Sequence, residues 1–318
     1  MAEALAATAT RLDPRKFRDP LVTANGERRA QVGLRSLDML WFNTGTLCNL
    51  TCRHCYIESS PKNDRLVYLS AAEVAEYLDE IAALRLGTGM LGFTGGEPFM
   101  NPALPEMLAV SLERGFRTLV LTNAMKPMHK MKPALLALRR RFGERLQIRV
   151  SIDHYGRAVH EAERGRRSWQ PTIEGLCWLA GNNFQPSVAS RRLSGESESE
   201  IRRGFARLFS ELGVAIDADD SQALTVFPEM DEMADVPEIT EACWAILGKS
   251  PNDVMCAHSR MVVKFKGAAR PSVIACTLLP YDSRFDLGPT LAGALGRVAL
   301  NHPHCARFCV LGGGACSR

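Results

Sequence analysis

The chain has 318 residues, with 46% apolar and 23% charged side chains and a formal net charge of +4. That composition suits one large α/β domain or two modest ones. The small charge leaves no electrostatic footprint for nucleic acid, and no run approaches the roughly 18 apolar residues of a membrane span.

Residues 1–36 are polar, carry Pro14, Pro20 and Gly26, and read as an irregular, lightly packed arm. Their start lacks the apolar segment of a secretory signal. A cytoplasmic location is therefore expected, where ten cysteines argue for metal ligation over disulfides. From residue 37 apolar runs and helix-periodic segments alternate. Strands are predicted over 38–45, 88–96, 117–123, 146–153, 185–191 and 214–219. Helices are predicted over 70–84, 102–115, 129–142, 172–183 and 197–213, with Ser70 as an N-cap and Gly115 as a stop. Six β-α units demand a parallel sheet with helices outside. They fall short of the eight of a full barrel. The expectation is a partial (β/α)6 TIM-like barrel over 37–225, with its chemistry at the C-terminal strand ends. A small Cys-rich extension, 226–318, follows an acidic, Pro-containing connection.

Directly after the first strand stands CNLTCRHC, residues 48–55. Three thiols this close are one short of a four-ligand zinc or iron-sulfur site. A missing protein ligand is useful when something else must bind in its place. Some 40 residues on, the second strand ends in GGEP, residues 95–98. Alone, GGEP reads equally as a strand-to-helix turn.

The C-x3-C-x2-C spacing followed by GGEP, each at a strand end, resembles the radical S-adenosylmethionine (radical SAM) superfamily over residues 37–220. The resemblance implies that Cys48, Cys52 and Cys55 bind three irons of a [4Fe–4S] cluster, and that SAM chelates the fourth. Reductive cleavage of SAM to a 5′-deoxyadenosyl radical, and hydrogen abstraction from a substrate, follow from it. Where the family commonly has an aromatic before the third cysteine, this chain has His54, with Tyr56 just after as a ring for the adenine. Gly95, Gly96, Glu97 and Pro98 are expected around the SAM ammonium group, the glycines allowing close backbone approach. Ser151 and Asp153, in SIDHYG, resemble the family's Ser-x-Asp stretch near the ribose and carboxylate; a helix cap is the plainer role for Asp153. Asn123 is a cofactor candidate or a turn residue. Arg191 or Arg192 is placed to neutralise the SAM carboxylate, or else lies on the surface.

The tail holds Cys243, Cys256, Cys276, Cys305, Cys309 and Cys316. Residues 256–276 read as a hairpin with a cysteine at each end. Glycines separate the last cysteines. This resembles the SPASM or twitch extension of radical SAM proteins, as does the stretch carrying His160, Arg164, Gly165 and Trp169. The full two-cluster pattern is absent. One auxiliary [4Fe–4S] cluster is expected, on Cys256, Cys276, Cys309 and Cys316, with Cys305 the rival ligand and zinc the alternative metal. His258, His302 and His304 are candidate donors to cluster sulfurs. Cys177 reads as core. Cys243 reads as packed, or as a hydrogen-atom donor to a substrate radical.

The leading expectation is oxidation or epimerisation of a small polar metabolite, with flavodoxin or ferredoxin as electron donor. Maturation of a peptide or protein side chain is the second reading. A non-catalytic iron-sulfur or zinc protein is the third.

Overall fold

The strands are β1 (Gln31–Val32), β2 (Met39–Asn43), β3 (Met90–Thr94), β4 (Arg117–Thr122), β5 (Leu146–Ser151), β6 (Ser187–Arg191), β7 (Leu224–Phe227), β8 (Ser259–Val263), β9 (Ser272–Ile274) and β10 (Val298–Ala299). The helices are α1 (Ala71–Leu84), α2 (Leu104–Glu113), α3 (Lys126–Lys130), α4 (Lys132–Phe142), α5 (Arg157–Arg164), α6 (Trp169–Gly181), α7 (Glu198–Leu212) and α8 (Cys243–Leu247). They come from a computed structural model that describes residues 11–193, 195–228 and 230–315.

Strands β2 to β7 lie side by side in chain order, each parallel to the next. This is the expected open barrel. Alternate residues of one strand serve two cores, as the period of two requires. Leu40 and Phe42 face the helical layer with Phe93, Val74 and Leu78, while Met39 and Trp41 face inward with Leu119, Met261 and Val263. Gly92 makes room for the inward indole: a Cβ there would lie 2.2 Å from the Trp41 ring. Helices α1 and α7 begin with capping boxes, Ser70 with Glu73 and Ser197 with Glu200, which satisfy backbone donors in the first turn.

Three expectations need correction. The sixth strand is not 214–219 but Leu224–Phe227, so a boundary at 225 would cut through it. This strand is the half-exposed edge of the sheet, with only Leu224 buried, and it is Leu224–Phe227 that meets Val188–Arg191 of β6 in register. The tail is not a separate unit. Its hairpin, β8 with β9, forms as expected, but β8 pairs parallel to β2 and extends the barrel sheet. The arm is not lightly packed either. β1 pairs antiparallel with β10, and Phe17, Ala30 and Val32 are buried in the inner core.

Arg29 holds this arm. Its guanidinium pairs with Glu238 at 2.5 Å, and both side chains are almost fully buried. Glu238 also accepts from the Phe17 and Ala24 amides. Breaking a buried pair strands a charge and costs about 3–5 kcal/mol. Arg29→Met should therefore lower stability by about that amount, read as the urea midpoint, and should open residues 11–28 to protease. A loss below about 1 kcal/mol, the scale of an exposed pair, would contradict this packing.

Candidate active site

The cysteine loop leaves β2 through Thr44, Gly45 and Thr46 and presses against the turn after β3. Gly96 N–H donates to Gly45 O at 2.8 Å and Glu97 N–H to Leu47 O at 3.1 Å. Thr44 donates to Thr94 O through both its amide (2.8 Å) and its hydroxyl (3.0 Å). The backbones are so close that a Cβ on Gly95 would sit 2.5 Å from Gly45 O, and one on Gly96 would sit 2.3 Å from Leu47 O. The two glycines line the cavity, and their absent side chains make room for the cysteine loop.

Glu97 is turned away from that cavity. Its carboxylate accepts from the Thr122 hydroxyl and the Asn123 amide, both at 2.8 Å, and from the Phe99 amide at 3.2 Å. It fastens the end of β3 to the end of β4. Burial pushes it up to about 7 from an ordinary 4.5, against the pull of those three donors. Pro98 is likewise buried, at the start of a short 3-10 turn.

Cys48, Cys52 and Cys55 face one cavity at the C-terminal strand ends. Burial pushes the Cys48 thiol up to about 12 and raises Cys52. Backbone N–H groups of Leu50 and Ser59 point at the sulfurs of Cys48 and Cys55, each at 3.4 Å. Asn123, Ser151, Asp153, Arg191 and Tyr56 line the same cavity, as does Arg164. Asp153 does not cap α5. Burial works to raise its carboxyl, but a two-pronged pair with Arg164, at 2.8 and 3.0 Å, holds it below the usual range. Arg191 donates to His54 O at 3.1 Å, and its Nε is buried with no hydrogen-bond partner among the described residues. Arg192 does not reach this cavity. Asn123 is a turn residue, its Oδ1 accepting from the Met125 amide, and its Nδ2 also reaches Asn49 in the cysteine loop at 2.9 Å.

Helix α5 supplies what the sequence reading missed. Glu163 holds His54 Nδ1 at 2.6 Å with its carboxylate and the Arg53 amide at 2.8 Å with its carbonyl. The next residue, Arg164, reaches back to Asp153. A signal was present, since the stretch from His160 to Trp169 carried a family resemblance, but no helix was predicted over 157–164. The apolar part of the cavity's lining is made by Leu121, Ala189, Phe227, Met230, Leu278 and Phe308.

A second, apolar cavity is lined by four thiols: Cys256, Cys276, Cys305 and Cys309. The hairpin brings Cys256 and Cys276 together at its base. One turn of π-helix, Cys305–Leu311, presents Cys305 and Cys309; such turns recur at functional sites. Burial pushes Cys256 up to about 11 and Cys305 up to about 12. The rival Cys305 thus completes a set of four, and Cys316 lies outside the described residues. Of the three tail histidines only His304 lines this cavity. It is 5% exposed, and its Nδ1 is buried without a partner among the described residues. Cys243 lies outside both cavities, with its sulfur 3.4 Å from the Thr240 amide and hydroxyl, so it is not positioned as a hydrogen-atom donor. Cys177 packs on the helical core as expected.

Among the described residues no three His, Cys, Asp or Glu side chains converge on a point that could hold a single metal ion. The unpartnered Arg191 Nε and His304 Nδ1 are positions where a bound anionic group fits.

Fold and site together define a partial α/β barrel with one three-thiol cavity at its C-terminal strand ends and a second, four-thiol cavity beside the base of the β8–β9 hairpin. The chain belongs to the radical SAM superfamily, whose family model matches residues 42–202; that family uses a [4Fe–4S] cluster and SAM. It is 31% identical over 145 residues to the antilisterial bacteriocin subtilosin biosynthesis protein AlbA of Bacillus subtilis, covering 45% of this chain and 30% of AlbA. It is 26% identical over 184 residues to the AdoMet-dependent heme synthase of Nitratidesulfovibrio vulgaris, covering 56% and 47%. The chain thus spans less than half the length of either relative. The fold resembles that of Streptococcus suis SuiB bound to S-adenosylmethionine, with a TM-score of 0.58 at 12% identity over 80% of this chain and 63% of SuiB. No helix of the described residues is long and apolar enough to cross a membrane.

Glu97 offers a pH test. Its folded pKa lies above the ordinary value, so between about 4.5 and 7 the folded state binds more protons than the unfolded one. Stability must fall as pH rises through that window. The wild type should lose more stability than Glu97→Gln between pH 5 and 7.5, by up to roughly 3 kcal/mol at about 1.4 kcal/mol per pKa unit. Urea midpoints at the two pH values measure it, and parallel profiles would contradict the burial of an ionisable Glu97.

Proposed function

We propose that the chain is a radical SAM enzyme that abstracts a hydrogen atom from an apolar C–H group, with an amino-acid side chain of a peptide as the substrate class. In this reading Cys48, Cys52 and Cys55 hold the SAM-binding cluster, and Arg191 neutralises the SAM carboxylate. Asn123, Ser151 and the Asp153–Arg164 pair frame the rest of the cofactor. When bound, the cluster and SAM supply a 5′-deoxyadenosyl radical. The chain's own contribution is to fix the thiols, exclude water and hold the reacting carbon. Leu121, Phe227, Met230, Leu278 and Phe308 do the last two.

That wall is the observation that carries the reading. It offers no hydrogen-bond partners for the hydroxyl and amino groups of a small polar metabolite, and leaving those groups unpaired is costly. It suits an aliphatic or aromatic side chain. The bacteriocin-biosynthesis relative supports the same choice.

The second cavity, on Cys256, Cys276, Cys305 and Cys309, would hold an auxiliary cluster. Leu278 lines both cavities. An auxiliary cluster bound there would supply an acceptor for the one electron that a substrate radical must still lose, the accompanying proton leaving to a base or solvent.

Anaerobic reconstitution and an assay for 5′-deoxyadenosine test this. About eight irons per chain are expected, falling to about four in Cys48→Ala/Cys52→Ala/Cys55→Ala with SAM cleavage lost, at four irons per cluster. About four irons in the wild type and none in that variant would remove the auxiliary cluster. No SAM cleavage by the reconstituted wild type would leave a non-catalytic iron-sulfur protein. Peptides with apolar side chains should stimulate cleavage; stimulation by sugars or aminocyclitols alone would restore the small-metabolite reading.

A further inference from the structure

Arg260 is a buried charge that the proposed reaction does not use. It sits in β8 opposite Leu40 of β2, and it is 1% exposed. Its guanidinium is fully engaged, but only by carbonyls. Nε donates to Ala294 O at 2.9 Å, and Nη1 to Cys256 O at 2.6 Å and Ser259 O at 2.8 Å. Nη2 donates to Gly296 O at 3.2 Å. Among the described residues no carboxylate pairs with it. The contrast with Arg29 is direct: that guanidinium, just as buried, has Glu238.

Carbonyl dipoles satisfy hydrogen bonds, but they do not cancel a full charge, and a lone buried cation is expensive. Its Nη1 holds the carbonyl of Cys256, whose side chain belongs to the lining of the second cavity. A cluster ligated there would supply the missing negative charge. An Arg-to-carbonyl scaffold also fixes the loop that presents Cys256.

We propose that Arg260 is the built-in counter-charge of the auxiliary cluster and sets its reduction potential. This rests on reading the second cavity as a cluster site. A cluster held by four thiolates is anionic and becomes more so on accepting an electron. A fixed cation bonded to the backbone of one of its ligands stabilises the reduced form more than the oxidised form. Net charge and hydrogen bonding near the sulfurs are the levers that tune such clusters. Arg260 therefore makes the auxiliary cluster a better electron acceptor, which is the role the proposed reaction gives it. It is a positioning residue, since it touches neither substrate nor cluster.

The test is a redox titration followed by electron paramagnetic resonance. It uses the wild type and the Cys48→Ala/Cys52→Ala/Cys55→Ala variant, in which only auxiliary irons report. Arg260→Gln keeps two donors and loses the charge; Arg260→Lys keeps the charge. Arg260→Gln should retain its irons and lower the reduction equilibrium constant at least tenfold, about 59 mV for one electron. Arg260→Lys should stay near the wild type. An unchanged potential in Arg260→Gln would overturn the proposal, as would a fall in Arg260→Lys as large as that in Arg260→Gln, which would mark a purely geometric role. If Arg260→Gln does not accumulate, Arg260→Lys decides alone: kept irons and kept potential support the counter-charge, and a tenfold fall or lost irons overturn it. An iron-free triple variant would instead remove the auxiliary cluster, and Arg260's role with it.

Discussion

The mouth of this barrel depends on how closely two backbone segments approach each other. Residues 44–47, which launch the cysteine loop, lie against residues 95–97 at hydrogen-bonding distance, and only glycine at 95 and 96 permits it. The contact fixes where Cys48 begins its course. It also explains why the carboxylate of Glu97 points inward. With the backbone committed to the cysteine loop, the side chain is left to bind the end of β4 through Thr122 and Asn123. The turn is thus a hub joining β2, β3 and β4, and the cavity is what remains above it.

A second support comes from outside the sheet. Helix α5 places Glu163 and Arg164 side by side, one gripping the cysteine loop at Arg53 and His54, the other locking Asp153 at the end of β5. Arg191 adds a third tie, from β6 to His54. His54 thus has work that a phenyl ring could not do, because it needs a ring nitrogen for Glu163. The cysteine loop is held by β3, β4, α5 and β6, a degree of restraint suited to a site that must keep three thiols in fixed relation.

The tail and the arm form one inner layer on the same barrel. β8 extends the sheet beside β2, β1 pairs with β10, and Arg29–Glu238 closes the seam. Leu278 lines both cavities. The π-turn that presents Cys305 and Cys309 to one cavity sends Phe308 into the other, where its ring lies 5.7 Å from that of Phe227. The same seven residues thus supply two of the four thiols of one cavity and an apolar side chain of the other.

The sequence by itself determined the parallel sheet, the order of its first five strands, the cysteine loop and the hairpin of the tail. Each of these is local: a period of two or of 3.6, a spacing of thiols, a glycine pair at a strand end. Only the tertiary structure decided which groups meet. The sixth strand moved to 224–227 because that stretch, and not 214–219, pairs with Val188–Arg191 of β6. Glu163 became a clamp because His54, 109 residues away in the chain, lies opposite it. Cys305 joined the second cavity, and Cys243 stayed outside it, because a π-turn and a short helix set their directions. Spacing along a chain cannot encode those directions; packing sets them.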